Sequence, residues 1–182
     1  VVDDWMDCRT EPGDSDRESA LWQIRKSLSV MEVANDDHKR FADLIHSQHS
    51  ELENAENGRI TLVVCNTVDR ACKTFEALRR LNPDADLQLV HSRFRPSERK
   101  AWREQFLSRA ACNPNANRII VATQVVEAGV DVSAGCLITE LAPWTALIQR
   151  FGRCARYGGG GKIVVVNRGL SEKVTAPYSP SE

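Results

Sequence analysis

ITLVVCNTVDRACKTFEALRRLNPDADLQLVHS, residues 60–92, is the stretch that decides the fold. It opens with ITLVVCN (60–66), an apolar run with almost no polar alternation. A run of that kind suits a strand covered on both faces, which is the habit of parallel sheets. From Thr67 to Leu81 the period changes, and Ala71, Phe75 and Leu78 recur at i, i+4 and i+7, as on one face of a helix. Asn82-Pro83 ends that helix, because a residue before proline is pushed out of the helical region. LQLVHS (87–92) is then a second strand. Strand, helix and strand at this spacing make a βαβ unit.

The unit repeats toward the C-terminus. Pro96 opens a basic helix to about Ala110, RIIVAT (118–123) and CLITEL (136–141) are strands, and Pro143 starts a helix to about Ala155. Four glycines (158–161) break the chain before KIVVVN (162–167), a fifth strand. Toward the N-terminus, Asp36 to Ala55 reads as a helix with Phe41, Leu44, Ile45 and Leu52 on one stripe and Asp36 or Asp37 as its cap. SLSVMEV, within 19–34, is expected to be an edge strand, residues 1–18 an acidic linker or lead-in, and residues 171–182 a loose tail. The expectation is an α/β domain over 19–170, with a mostly parallel sheet flanked by helices on both faces.

Composition supports this and removes other classes. The chain has 182 residues, 42% hydrophobic and 27% charged, enough for one packed core and too apolar for global disorder. No apolar run approaches the ~20 residues of a membrane span, so no membrane association is expected. The six cysteines, at 8, 65, 72, 112, 136 and 154, contain no C-x-x-C pair, which argues against a zinc ribbon and for free thiols in a reducing cytoplasm. The sequence begins at Val1 rather than methionine, as a piece of a longer protein would. Residues 1–58 hold six Lys/Arg against fourteen Asp/Glu, while residues 59–182 hold eighteen against eleven. The basic C-terminal part is compatible with a polyanionic partner.

In open parallel sheets, ligands sit beyond the carboxyl ends of the strands. After the first core strand, Asn66-Thr67-Val68-Asp69 is either a plain helix cap or a helix start offering N–H groups to a phosphate. After the second, HSRFRPSERKAWREQF (91–106) carries Arg93, Arg95, Arg99, Lys100 and Arg103, either as a solvated face or turned toward phosphates. After the third, ATQVVEAGVDV (122–132) offers the Thr123 hydroxyl, a Gly129 that permits close approach, and Asp131 for a sugar hydroxyl. After the fourth, QRFGRCAR (149–156) places Gln149, Arg153 and Arg156 at i, i+4 and i+7. Three arginines in seven residues repel one another unless an anion shares the site, and guanidinium forks match phosphate oxygens. The glycine run lacks the G-x-x-x-x-G-K-[ST] spacing of a phosphate loop and reads as a flexible connection. His46 and His49 lack ligand partners at metal spacing and are expected at the surface.

VVCNTVDRA (63–71), the HSRF segment (91–94), ATQVVEAGVDV and LAPWTALIQRFGRCAR (141–156) together resemble motifs IV, IVa, V and VI of superfamily 2 helicases. Within that superfamily the ordered set is similar to the CRISPR-associated helicase–nuclease of type I systems, and it covers residues 60–167. The resemblance implies a three-layer RecA-like domain, the second of two in an ATP-dependent helicase. It assigns Arg153 and Arg156 as fingers toward the γ-phosphate of ATP bound on the first RecA-like domain. Asp131 would touch the ribose beside Gly129, and Gln149 and Arg150 would form the interdomain face. Asn66, Thr67, Arg93, Thr123 and Gln124 would hold single-stranded DNA. No Walker A lysine loop, D-E-x-D or D-E-x-H box or His-Asp dipeptide occurs in the chain, so Mg2+ and most of the nucleotide would be held by the first domain, and this piece alone is expected to be inactive. A crRNA-guided surveillance complex would be the partner. The equivalent domain of another superfamily 2 helicase acting on RNA or repair DNA, and a non-catalytic nucleic-acid-binding α/β module, are the alternatives.

Overall fold

The computed structural model describes residue 13, residues 24–53 and 55–169, and residue 178. The expected lead-in and tail fall outside these residues, apart from Gly13 and Tyr178. Six strands make one sheet: β1 (Arg25–Glu32), β2 (Arg59–Val64), β3 (Asp86–Val90), β4 (Asn117–Ala122), β5 (Cys136–Glu140) and β6 (Gly160–Asn167). Their spatial order is β1-β6-β5-β2-β4-β3, and every pairing is parallel. All carboxyl ends therefore meet along one rim. The helices are α1 (His38–Ser50), α2 (Val68–Leu81), α3 (Pro96–Phe106) and α4 (Trp144–Phe151).

The period-2 geometry of the strands splits their side chains between two cores. Val63 and Cys65 pack on one face with Phe41 and Ile45 of α1 and Ala71 and Leu78 of α2. Ile60, Leu62 and Val64 pack on the other with Trp102 and Phe106 of α3, Val126 and Cys154. The central strands are thus dry on both faces, as the unbroken apolar run suggests. The edge strand β1 is exposed along its length, with Val30 68% and Leu28 60% accessible. Cys65, Cys136 and Cys154 are buried free thiols, and burial pushes the Cys136 thiol up to about 12 and that of Cys154 to about 11. Among the described residues no helix is long and apolar enough to cross a membrane.

Three expectations need correction. The helix expected to reach Ala155 ends at Phe151, so Arg153 and Arg156 lie in the turn beyond it and share no helical face with Gln149. Gly152 follows, and the turn is held as an extra strip of sheet, with Ala134 N–H donating to Arg153 O (2.8 Å) and Ala155 N–H to Ala134 O (2.9 Å). The glycine run is no free connection either, because Gly160 and Gly161 begin β6. Finally, His49 is buried rather than exposed. Its ring lies 2.9 Å from the Thr61 hydroxyl and 3.0 Å from Asn117 Oδ1.

Candidate functional site

The rim where the strands end carries two groups of polar side chains, one deep and one exposed. The deep group centres on Glu140, the last residue of β5, whose side chain is 2% exposed. Asn66 N–H donates to its Oε2 (2.6 Å), and Arg70 Nε reaches both carboxylate oxygens (2.9 and 3.0 Å). Arg168, just past β6, approaches at 3.9 Å. Next to it lies Arg150 of α4, with no exposed surface. Its guanidinium donates to Asn66 Oδ1 (3.1 Å), Thr139 Oγ1 (2.8 Å), Glu140 O (3.2 Å), Glu127 Oε1 (2.8 Å) and Tyr178 Oη (3.0 Å). Asn66 also donates from Nδ2 to Leu141 O (2.7 Å) and accepts at its carbonyl from Gln124 Nε2 (2.7 Å). Three residues expected to meet a ligand, Asn66, Gln124 and Arg150, are therefore engaged within the domain. The physical reason is position: they sit where β2, β4 and β5 end side by side, and buried polar groups there must satisfy one another.

Thr67 and Thr123 are also partly internal. Thr67 Oγ1 caps α2 by accepting from Arg70 N–H (3.3 Å), and Thr123 is 2% exposed. Arg93 is exposed after β3, and Gln149 is exposed on α4.

The second group lies on the loop 126–131 and the turn 153–157. Arg153 is half-buried and clamps the loop by donating to three backbone carbonyls: Val126 O (3.1 Å), Glu127 O (2.6 Å) and Val130 O (3.0 Å). Burial, followed by the nearby Arg156 charge, lowers its pKa from the usual guanidinium value. Arg156 is exposed, and its Nε pairs with Asp131 Oδ1 at 2.9 Å. The Tyr157 hydroxyl, which also donates to Asp131 O, and then the Arg156 guanidinium hold the Asp131 carboxyl below the ordinary carboxylate range. Gly129, at φ +69, keeps the loop free of a side chain at its outer corner. The structure thus brings together Gly129, Asp131, Arg153 and Arg156. An open carboxylate–guanidinium pair beside a bare backbone corner suits a hydroxylated, anionic ligand, with Asp131 accepting from hydroxyls and Arg156 meeting phosphate oxygens.

Glu140, Arg70, Glu127 and Tyr157 escape a reading of motifs. One signal was available for Glu140: a carboxylate that closes a mostly apolar strand is expected to be buried with a cation. Among the described residues no group of three or more His, Cys, Asp or Glu side chains could hold a metal.

Comparison with known proteins identifies the family of the domain. Residues 57–159 match the family described as the C-terminal part of the CRISPR-associated nuclease/helicase Cas3. The Escherichia coli K12 CRISPR-associated endonuclease/helicase Cas3 is 38% identical over 106 residues, 57% of this chain and 12% of that protein. A Myxococcus xanthus relative, named as a putative nuclease/helicase of the same kind, is 41% identical over 101 residues, 56% of this chain and 13% of its own length. The crystal structure of T. fusca Cas3 with AMPPNP superposes with TM-score 0.66 at 25% identity, over 86% of this chain and 19% of that one. A chain in a CRISPR RNA-guided surveillance complex, in a pre-nicking state, gives 0.59 at 26%, over 86% of this chain and 20% of its own. This chain therefore spans about an eighth of the curated relatives it matches. With a parallel six-stranded sheet, a rim bearing the four ordered motifs and a family match over more than half its length, the chain belongs to the Cas3 C-terminal family of superfamily 2 helicase domains.

Proposed function

We propose that, in the complete protein, this domain is the second motor half of an ATP-dependent helicase that translocates on single-stranded DNA within a type I CRISPR effector. The observation that carries the proposal is the exposed Asp131–Arg156 pair beside Gly129, held in place by the Arg153 clamp. The substrate, ATP, would be bound mainly by the first RecA-like domain, together with Mg2+. Asp131 would then meet the ribose, Gln149 would lie on the interdomain face, and Arg153 and Arg156 would bring positive charge to the phosphates. Phosphoryl transfer depends on positioning and on stabilising charge spread over the equatorial oxygens, so half of the machinery can arrive from a separate domain. Of the two arginines, Arg156 has its guanidinium at the surface, whereas Arg153 acts in this conformation by shaping the loop that presents Asp131. The deep lattice has a supporting part: Glu140 and Arg150 tie the ends of β2 and β5 to loop 124–127, so the Asn66–Thr67 and Gly129–Asp131 segments move as one body. Exposed Arg93, with Thr67 at a strand tip, would contact the phosphates of one DNA strand, with the buried Thr123 shaping the rim behind them, and opening of the interdomain cleft would release the strand. A surveillance complex is the expected partner, by analogy with the assembly that contains one structural neighbour.

The test is ATP hydrolysis by the full-length protein with Arg156→Ala. Donated arginine fingers are worth on the order of 10³–10⁵ in turnover, so a loss of at least ~10²-fold is expected, with nucleotide binding much less affected. Arg156→Lys keeps the charge without the fork and restores little. Turnover near that of the unmodified protein would overturn the proposal.

A further inference from the structure

The segment that follows β3 carries Arg93, Arg95, Arg99, Lys100 and Arg103, the last three on α3, and as a run they suggest contact with a nucleic-acid strand. Arg103 is placed differently. Trp102 and Phe106 of the same helix are buried in the core, which fixes the helix against the sheet and sets the direction of the residues between them. The C-terminal end of α3 is tied to the nucleotide-facing loop by a backbone bond, Asp131 N–H to Leu107 O, at 2.9 Å. Arg103 consequently lies over Gly129: a Cβ on that glycine would sit 3.6 Å from Arg103 Nη2. An open cleft of about 430 Å³ separates the helix from the loop, lined by Arg103, Glu104, Ser108, Gly129, Asp131 and Arg156. Among the described residues the Arg103 guanidinium has no hydrogen bond and no ion pair, whereas Arg156 is paired with Asp131. A third guanidinium, Arg109, stacks 4.8 Å above the Tyr157 ring and adds to the positive field on Asp131.

We infer that Arg103 belongs to the nucleotide site, as a second guanidinium that takes the phosphate tail of ATP from the side of the cleft opposite Arg156. Three features support this assignment. Arg156 is ion-paired with Asp131, whereas Arg103, in the same cleft as Glu104 and Asp131, makes no ion pair among the described residues. A planar fork above a glycine corner can present two N–H groups to an anion entering from outside. The backbone bond from Asp131 to Leu107 ties the two walls of the cleft together at one end, so the backbones that carry the two arginines are placed before ligand arrives. The inference rests on the interdomain nucleotide reading proposed above and adds to it a residue that acts on affinity, while Arg156 acts on turnover.

The test compares Arg103→Ala, Arg103→Lys and Arg156→Ala in the full-length protein, reading KM for ATP, kcat, and affinity for a fluorescent single-stranded oligonucleotide. A charge-assisted hydrogen bond to phosphate is worth about tenfold in affinity, so Arg103→Ala should raise KM by about tenfold. Its kcat should stay within about threefold and its oligonucleotide affinity should not change, since the lost contact is made in ground and transition states alike. Arg103→Lys should fall between the two, keeping charge without the fork. Because Arg103 is exposed, neither change removes a core contact. An unchanged KM in Arg103→Ala overturns the inference. So does weakened oligonucleotide binding with unchanged KM, which would assign the whole helix to the nucleic acid. If Arg156→Ala also leaves kcat intact, the interdomain reading itself fails; if Arg156→Ala alone lowers kcat, only the role of Arg103 is refuted.

Discussion

Replacing Glu140 by alanine tests whether the deep lattice holds the rim together. The carboxylate is 2% exposed and is the acceptor for Arg70 (side chain 6% exposed) at 2.9 Å. It also accepts the Asn66 N–H, which otherwise faces the same closed space. Arg168, 2% exposed, lies at 3.9 Å, and its Nε and Nη1 have no hydrogen bond, so it depends on Glu140 through field rather than contact. Removing this carboxylate takes an ion-pair partner from Arg70, a nearby counter-charge from Arg168 and the acceptor from the Asn66 amide. Breaking a buried pair from one side costs about 3–5 kcal/mol, against a total of about 5–15 for a domain. At about 2–4 °C per kcal/mol for a chain of this size, the melting temperature should fall by roughly 6–20 °C. Thermal and urea unfolding of the 182-residue chain, followed by circular dichroism, are the assays. Glu140→Gln keeps an acceptor for Asn66 and should lose about half as much. Arg70→Met in the Glu140→Ala background should cost less than it does alone, by at least ~1 kcal/mol of coupling, because the ion pair the two residues share is already lost. A loss under about 1 kcal/mol for Glu140→Ala, or strictly additive variants, would refute the lattice as a source of rim stability.

Other outcomes are expected on the same footing. Burial lowers the His49 pKa below the usual 6.5 and so favours the neutral ring in the fold, and the Asn117 contact opposes this only in part. The unfolded chain therefore takes up more protons, so stability is complete above pH ~6.5 and declines as pH falls from there toward the lower native value; His49→Gln should flatten that decline in pH-dependent urea melts. Gly58 has φ +79, and a Cβ there would run into the carbonyl oxygens of Asn113 and Ala116, the latter at 2.6 Å; Gly58→Ala should cost more than the ~1 kcal/mol typical of a point change, and a neutral result would disprove the crowding. Arg150→Ala should act first on stability, by removing the donor that Asn66 Oδ1, Thr139 Oγ1 and Glu127 share around an emptied guanidinium site; full melting temperature with lost ATPase would instead place it at a ligand. With about three phosphates held, log affinity for single strands should fall by about 2 per decade of salt, and Arg93→Ala should make that slope shallower.

Local pattern was enough for the fold. The apolar run 60–66, the helical period of 67–81 and the return of that alternation as far as 167 point to a parallel sheet covered on both faces, because crossover helices between parallel strands hide both sides of such runs. The ordered motifs were legible for the same reason: each follows a strand, and parallel strands bring their ends to one rim. Which motif side chains face outward was not legible. Asn66 and Arg150 look like ligand contacts in one dimension, yet Glu140, 74 residues from Asn66, takes the Asn66 amide and makes that corner an interior. Nor does helical spacing survive past Phe151, where pairing with Ala134 pulls the chain out of the helix and turns Arg153 onto loop carbonyls and Arg156 to solvent. Arg103 is one arginine among several until the Leu107–Asp131 bond sets its helix beside Gly129. Periodicity is a local property and reports which face of an element is apolar. Whether a polar side chain ends beside a distant partner or beside water depends on contacts between elements far apart in the chain, and only the assembled rim decides that.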